Sequence, residues 1–390
     1  MQQSEPKENY QYDDSKRAVA RRYENTKLLL DSVNGIVIPF VFCLTLFFSN
    51  ASNQLARLLE SALGSYWLSL GAYLVLFAIL LQLVALPLGF YSGFMVDHRF
   101  HLSTQTIRGW IVDELKGVGV GTIFGVLGGM VLYYLIANVS FWWIAAAIIF
   151  AVFSIVLSTI LPFVILPIFY KVTPLSDLQL KDELLQMSKG AGANNIARVL
   201  VADESRKSIR ANAFFSGVGK SRSIVLFDTL LSNFTRRETA TVVAHELGHY
   251  VNKDIWTEAL TSGILVIPPF FIANIALIVT AGTPVLANML DPAGVPLIFA
   301  IVIGIGFMLQ PVSNGLSRWV ELRADEFALK VAKDPDAQAS AERRLADLSL
   351  SVDRPGRLVE LLFYTHPPSA RRIQLAEDWK RRSAVDQKRN

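Results

Sequence analysis

Hydrophobic residues gather in six runs along this chain, at Val33 to Ser49, Tyr66 to Tyr91, Val118 to Val139, Phe141 to Tyr170, Ile255 to Ala281 and Pro296 to Leu316. A helix crossing the hydrocarbon of a bilayer needs about 20 apolar residues, so these runs predict six membrane spans. The first is short and needs flanking helix or local thinning of the bilayer. Gly and Pro within the runs, among them Pro162, Pro167, Pro268 and Pro269, predict kinks and close packing of helices.

Between and after the spans lie two polar segments that can fold, 171–254 and 317–390. The first predicts a helix near Gln179 to Gly190, ended by "GAGANN". Two β-like stretches follow, "ARVLVAD" and "RSIVLFD", with "IRANAFFSGVGKS" between them. The predicted order is a juxtamembrane segment (1–32), four spans (33–170), an α+β segment (171–254), two spans (255–316) and a C-terminal segment (317–390). The fold class is a mostly α membrane protein in which a small α+β domain is attached to the helices.

Composition agrees, since 52% of residues are hydrophobic and only 18% charged. A pI near 9.0 raises nucleic acid as a partner, but the placement of the charges argues against it. Of the 37 Lys and Arg residues, only Arg57 falls on the side of the membrane opposite both termini. That asymmetry marks topology, putting both termini and both polar segments in the cytoplasm, with basic residues touching lipid headgroups. Residues 1–32 are polar and charged, which argues against a cleaved leader and for the first run as an anchor. The single cysteine, Cys43, lies inside that run, so neither a disulfide framework nor a cysteine metal site is available.

The chemistry concentrates in "TVVAHELGHYVNKDIW", Thr241 to Trp256. Thr235 and Glu238 have capping-box form, so a helix starts near Arg236 and carries His245 and His249 on one face. Two histidines at that spacing can grip one zinc ion, and Glu246, one residue round, can polarise a bound water. The plainer reading is a polar helix face or a non-catalytic remnant of the motif. The whole stretch reads as one long helix that enters the membrane after Asp254.

A catalytic zinc keeps three protein ligands and an open position. No third histidine follows closely, so a carboxylate is needed. "ELRADEFALK" places Glu321 and Asp325 four apart on a helix leaving the last span. Glu321 could ligate the ion and Asp325 could orient a ligating histidine, although such a charged helix can equally be a solvated face. Glu238 and Glu258 lie too far along the histidine helix to reach the same ion. His366, before Pro367 and Pro368, reads as a loop residue at a helix start, and an arginine acting with it could be Arg371 or Arg372.

"AHELGHY", "ELRADEFA", "ANAFFSG…SIVLFDTLL" and "YTHPPSARRI", in this order, resemble the type I CaaX prenyl proteases, which are integral-membrane zinc metallopeptidases. The similarity extends to "LPLGFYSGFMVDHRF" and "LPIFYKVTPL" and spans about residues 33 to 380. It implies one zinc ion held by His245, His249 and Glu321, with Glu246 as general base and Asp325 behind the ligands. It further implies that Asn212 and Ala213 line an extended substrate, and that His366 and Arg372 face the zinc and stabilise an oxyanion. The implied fold is a ring of about six transmembrane helices enclosing a water-filled chamber. The family pattern has seven spans, and the polar N-terminus here takes the place of one. The implied partners are the lipid bilayer and a peptide or protein substrate, prenylated at a C-terminal cysteine where the host makes such proteins.

Two other function classes compete with this expectation. One is a membrane quality-control metalloprotease that cuts untagged or misfolded chains. The other is a channel or transporter with a structural zinc, a reading that leaves Glu246 unexplained because a structural site is closed by a fourth ligand.

Overall fold

The computed structural model describes residues 6–164, 166–216 and 222–389; the side chains of 158–164 and 386–389 are outside the description. Ile165, in the fourth predicted span, and Gly217, in the "ANAFFSG" motif, therefore fall outside it, as does the Pro162 side chain.

Long apolar helices dominate. They are α1 (Asp14–Phe48), α3 (Tyr66–Arg99), α4 (Ile107–Asn138), α5 (Trp142–Val164), α8 (Asp254–Thr280) and α9 (Val295–Ala332), with the short amphipathic α2 (Ala51–Leu63) after the first. Five helical stretches among the described residues are long and apolar enough to cross a membrane. The expected sixth is α5, whose described side chains give the shorter apolar stretch Trp142–Leu157. The short first run gains its length from the polar residues before it, because α1 begins at Asp14 under an Asp13 cap.

Each long helix packs on the next, from α1 through α3, α4, α5 and α8 to α9, and α9 returns to α1. The six therefore close a ring, as expected. An apolar core fills one end of it, where Phe47, Tyr73, Tyr133, Trp142, Leu277 and Leu286 meet. Toward the other end the filling stops, and α4 has no buried residue between Ile107 and Leu132. A helix with a partner on each side and no buried residue over seven turns borders open space as well as lipid, so the ring is hollow there. Its glycines agree: a Cβ at Gly117, Gly119, Gly121, Gly125 or Gly128 meets nothing within 4 Å. Close packing, expected of the small residues generally, is confined to places such as Gly263, whose Cβ would lie 2.7 Å from that of Ala151.

The α+β segment sits at the hollow end. It comprises β1 (Val172–Pro174), α6 (Leu178–Gly190), β2 (Ile196–Ala202), β3 (Ala213–Ser216), β4 (Arg222–Phe227) and α7 (Arg236–Asn252). The sheet order is β1-β2-β4-β3, with β2 and β4 parallel and β3 antiparallel to β4. β3 is thus an edge strand, and it packs beside α7 and α5. After α9 come α10 (Pro335–Ser349), α11 (Arg357–Phe363) and α12 (Ser369–Arg389), which fold back over α7 and α9.

The reading of Thr241 to Trp256 as one continuous helix is corrected. Thr235 and Glu238 form both bonds of the capping box, and α7 runs regularly to Asn252. Lys253 then adopts a left-handed conformation, φ 57°, and α8 starts afresh at Asp254. α8 bends again at Val266, just before Pro268 and Pro269, whose rings cannot continue the hydrogen-bond ladder.

The contact that places the candidate metal-binding residues is the crossing of α7 over α9. A Cβ on Gly248 would stand 3.0 Å from Ala324 Cα and 3.2 Å from its carbonyl oxygen. Only a glycine lets the two backbones meet at that distance. Gly248→Ala is expected to cost about 1–3 kcal/mol by forcing the helices apart. A lower melting temperature in detergent, with weaker metal retention, is the outcome to check.

Candidate metal centre

His245 and His249 project from one face of α7, on either side of Gly248, toward Glu321 on α9. His245 Nε2 and His249 Nε2 are 3.2 Å apart, and Glu321 oxygens lie 3.2 and 3.5 Å from them. Ligand atoms from the three residues all fall within 4.8 Å of one another.

Each ring is fixed from behind. His245 Nδ1 is 2.8 Å from Asp325 Oδ1, and His249 Nδ1 is 3.0 Å from Asp254 Oδ2. A carboxylate can only accept there, so each Nδ1 carries the proton and each Nε2 presents a lone pair. Two lone pairs and a carboxylate thus converge with no donor between them, and Glu321 Oε2 is buried without a hydrogen bond. The set fits a cation. Electrostatics agree: burial of the His245 ring disfavours its charge, yet Asp325 and Glu321 together outweigh this and lift its pKa to about 10. Positive charge is favoured at this point.

The carboxylates behind the rings are themselves held. Arg372 reaches Asp325 through Nε, 2.7 Å from Oδ2, and through Nη2, while its Nη1 is 2.9 Å from Glu342 Oε1. Arg323 bonds Asp254 and lies over the Trp319 ring. Asp325 and Asp254 are almost fully buried, at 1% and 2% side-chain exposure, which such charges tolerate only when paired.

Glu246, one residue round α7 from His245, is half-buried and takes up no hydrogen bond or ion pair among the described residues. Burial raises its carboxyl pKa, against the pull of His245 and His249. His366 comes from the loop before α12 with Nε2 3.3 Å from Glu321 Oε1, and burial lowers its pKa against the pull of Glu321. Of the two arginines that sequence left open, Arg372 is the one at the site. Glu238 stays at the start of α7, where it bonds Ser340 and Arg344.

Asn212 and Ala213 lie at the start of β3. The Asn212 carbonyl accepts from Phe227 N, and its Oδ1 accepts from Ala213 N at 2.8 Å. With that register the backbone groups of Ala213 and Phe215 face the open edge.

Comparison with known proteins decides the family. The model of peptidase family M48 matches residues 174–380, and the model described as CAAX prenyl protease N-terminal, five membrane helices, matches 2–171. The chain belongs to peptidase family M48. The CAAX prenyl protease 1 of Saccharomyces cerevisiae is 31% identical, with 77% of this chain and 70% of the relative covered. An uncharacterized metalloprotease of Bacillus subtilis, YhfN, is 28% identical over 93% of this chain and 86% of its own. The crystal structure of S. mikatae Ste24p superposes with a TM-score of 0.78 at 24% identity, covering 93% of this chain and 89% of that one, so the fold is shared. This M48 protein is accordingly a multi-pass integral-membrane metalloendopeptidase. The family's N-terminal model is described with five membrane helices; in that region α1, α3 and α4 have spanning length here, α5 carries the shorter apolar stretch, and α2 is a 13-residue amphipathic helix.

Sequence reasoning missed Asp254, Arg323 and Glu342. Asp254 is five residues beyond His249, a spacing that no regular helix brings to the same face. Only the left-handed turn at Lys253 does so, and the sole trace of it in sequence is the abrupt change from polar to apolar residues at "NKDIW". Asp254→Ala frees the His249 ring and is expected to weaken metal binding about 10–100-fold. Competition against a chromophoric chelator measures it, and unchanged affinity would refute the role given to Asp254.

Proposed function

We propose that the chain is a zinc-dependent endopeptidase that cuts extended peptide segments at the cytoplasmic end of the hollow ring. The convergence of His245 Nε2, His249 Nε2 and Glu321, with both Nδ1 atoms locked by buried carboxylates, carries this reading. Three protein ligands of this kind suit zinc and leave a position for water. Bound zinc would lower the pKa of that water and polarise the scissile carbonyl.

The remaining work falls to side chains. Glu246, raised in pKa by burial and without other partners among the described residues, takes the proton of the attacking water on its carboxylate and passes it to the leaving nitrogen. His366 Nε2 supplies a hydrogen bond to the oxygen on which negative charge develops. Arg372 holds Asp325 through Nε and Nη2 and Glu342 through Nη1, which orients His245, and its remaining N–H donors leave it able to assist His366 at the oxyanion. The open edge of β3 pairs with substrate main chain, a mode that reads extended backbone more than side chains.

The relatives support a substrate class. Several proteins matched across most of their length are named CAAX prenyl protease 1, so a chain bearing a prenylated C-terminal cysteine is the proposed substrate. The described terminal segments, from Tyr10 to Tyr12 and around Ser369, pack at the metal end, and the charge asymmetry supports a cytoplasmic position for that end.

Glu246→Gln is expected to keep its metal and lose at least about 100-fold in turnover; cleavage at the wild-type rate would remove Glu246 as the base. Matched peptides with and without an isoprenyl cysteine, their cut sites read by mass, test the substrate. Preference for the modified peptide supports the proposal, and equal turnover points instead to a protease of untagged chains.

A further inference from the structure

The N-terminal residues Lys7 to Arg17 lie against the C-terminal catalytic segment, more than 300 positions away. Their anchor is Asp347 on α10, a carboxylate with 1% side-chain exposure. Its partners among the described residues all come from this arm: Tyr10 OH at 2.9 Å, Asp13 N at 2.8 Å, and the Arg17 guanidinium. A buried carboxylate paired in this way ties the arm firmly, because releasing the arm leaves that charge uncompensated.

From α10 the contacts run to both halves of the metal centre. Tyr10 N donates to Ser340 Oγ at 2.6 Å, and Ser340 Oγ donates to Glu238 Oε1 at 2.6 Å, at the start of α7. Arg344 stands over the Tyr10 ring at 4.5 Å, donates to Lys7 O and pairs with the same Glu238 oxygen at 3.2 Å. Glu342, on the same helix, meets Arg372, which fixes Asp325 and through it His245. Tyr12, under the Arg17 guanidinium, hydrogen-bonds Ser369 at 3.0 Å, three residues before Arg372.

We infer that this arm is a positioning strap for the metal centre, with Asp347 the residue through which it acts. The inference rests on the reading of His245, His249 and Glu321 as metal ligands. The chemistry is ordinary: α10 supplies Glu342 to Arg372 and Ser340 and Arg344 to Glu238, so its seat sets the angle of the His245 ring. The arm decides that seat. None of Tyr10, Arg17 and Asp347 touches the ligands or the open edge of β3, so their effect is on how well the site holds its ion.

The experiment uses the full chain in detergent, with zinc alone as the probe, and three variants: Tyr10→Phe, Arg17→Met and Arg17→Lys. Zinc affinity is measured by chelator competition well below the melting temperature, and hydrogen exchange of α10 and α12 is followed in metal-free protein. Wild type is expected to bind one zinc. Arg17→Met and Tyr10→Phe should weaken binding by about 3- to 30-fold, with faster exchange in both helices, and Arg17→Lys should restore most of the loss. A lowered melting temperature with zinc affinity within twofold of wild type in both variants would overturn the strap and leave it a stabilising contact only. Failure of the wild-type protein to bind zinc would instead overturn the reading of the metal centre. Should Arg17→Met fail to fold, Asp347→Asn keeps the size of the anchor while removing its charge, and the same two outcomes decide the question there.

Discussion

The metal centre depends on one close approach, that of Gly248 on α7 to Ala324 on α9. His245 and His249 flank the glycine, and Glu321 and Asp325 flank the alanine. Two short helical stretches therefore bring the three proposed ligands and a supporting carboxylate together at once. Their spacing is set by backbone contact rather than by flexible side chains. Because α9 is a membrane span that continues without a break into Ala332, the same contact ties the metal to the ring. A site built on crossing helices keeps its geometry better than one built on loops.

That geometry concentrates negative charge. Glu246, Asp254, Glu321, Asp325 and Glu342 face only two guanidiniums, Arg323 and Arg372, among the described residues, and the two histidines are held with their lone pairs inward. Asp325 and Asp254 are nearly sealed from solvent, so water cannot offset the imbalance. A bound divalent cation would offset it, which would tie metal retention to the groups that hold those carboxylates in place.

Much of this was legible in sequence because it follows local periodicity. The long apolar runs, the capping box before "TATVVAHE", and the helical spacing of His245 with His249 and of Glu321 with Asp325 are properties of segments a few turns long. What could not be read depends on single backbone departures or on distant partners. The left-handed turn at Lys253 broke a helix that looked continuous and brought Asp254 to His249. Arg372 could not be told from Arg371 in sequence; three-dimensional packing brings Arg372, through Asp325, to the back of His245. The glycines of α4 carry the signature of tight helix contacts, yet face empty space, because composition cannot distinguish a groove that another helix fills from one that lines a hollow.

A hollow ring lacks the central core that usually stiffens a helical protein, so its rigidity has to come from its two ends. At the far end the aromatic and aliphatic plug around Tyr73, Tyr133 and Trp142 does this, and the Arg57 to Asp291 ion pair closes over it. At the metal end no such plug is possible without filling the space that a substrate needs. There α10 and α12 act as a brace laid across the ring's first and last spans: α1 is bound through Arg17 to Asp347, and α9 through Asp325 to Arg372. The polar N-terminal segment, which in sequence reads as a juxtamembrane stretch before the first span, is on this view a support for the candidate metal centre. The contacts that tie α1 to α10 and those that fix Asp325 behind His245 thus meet on the same brace.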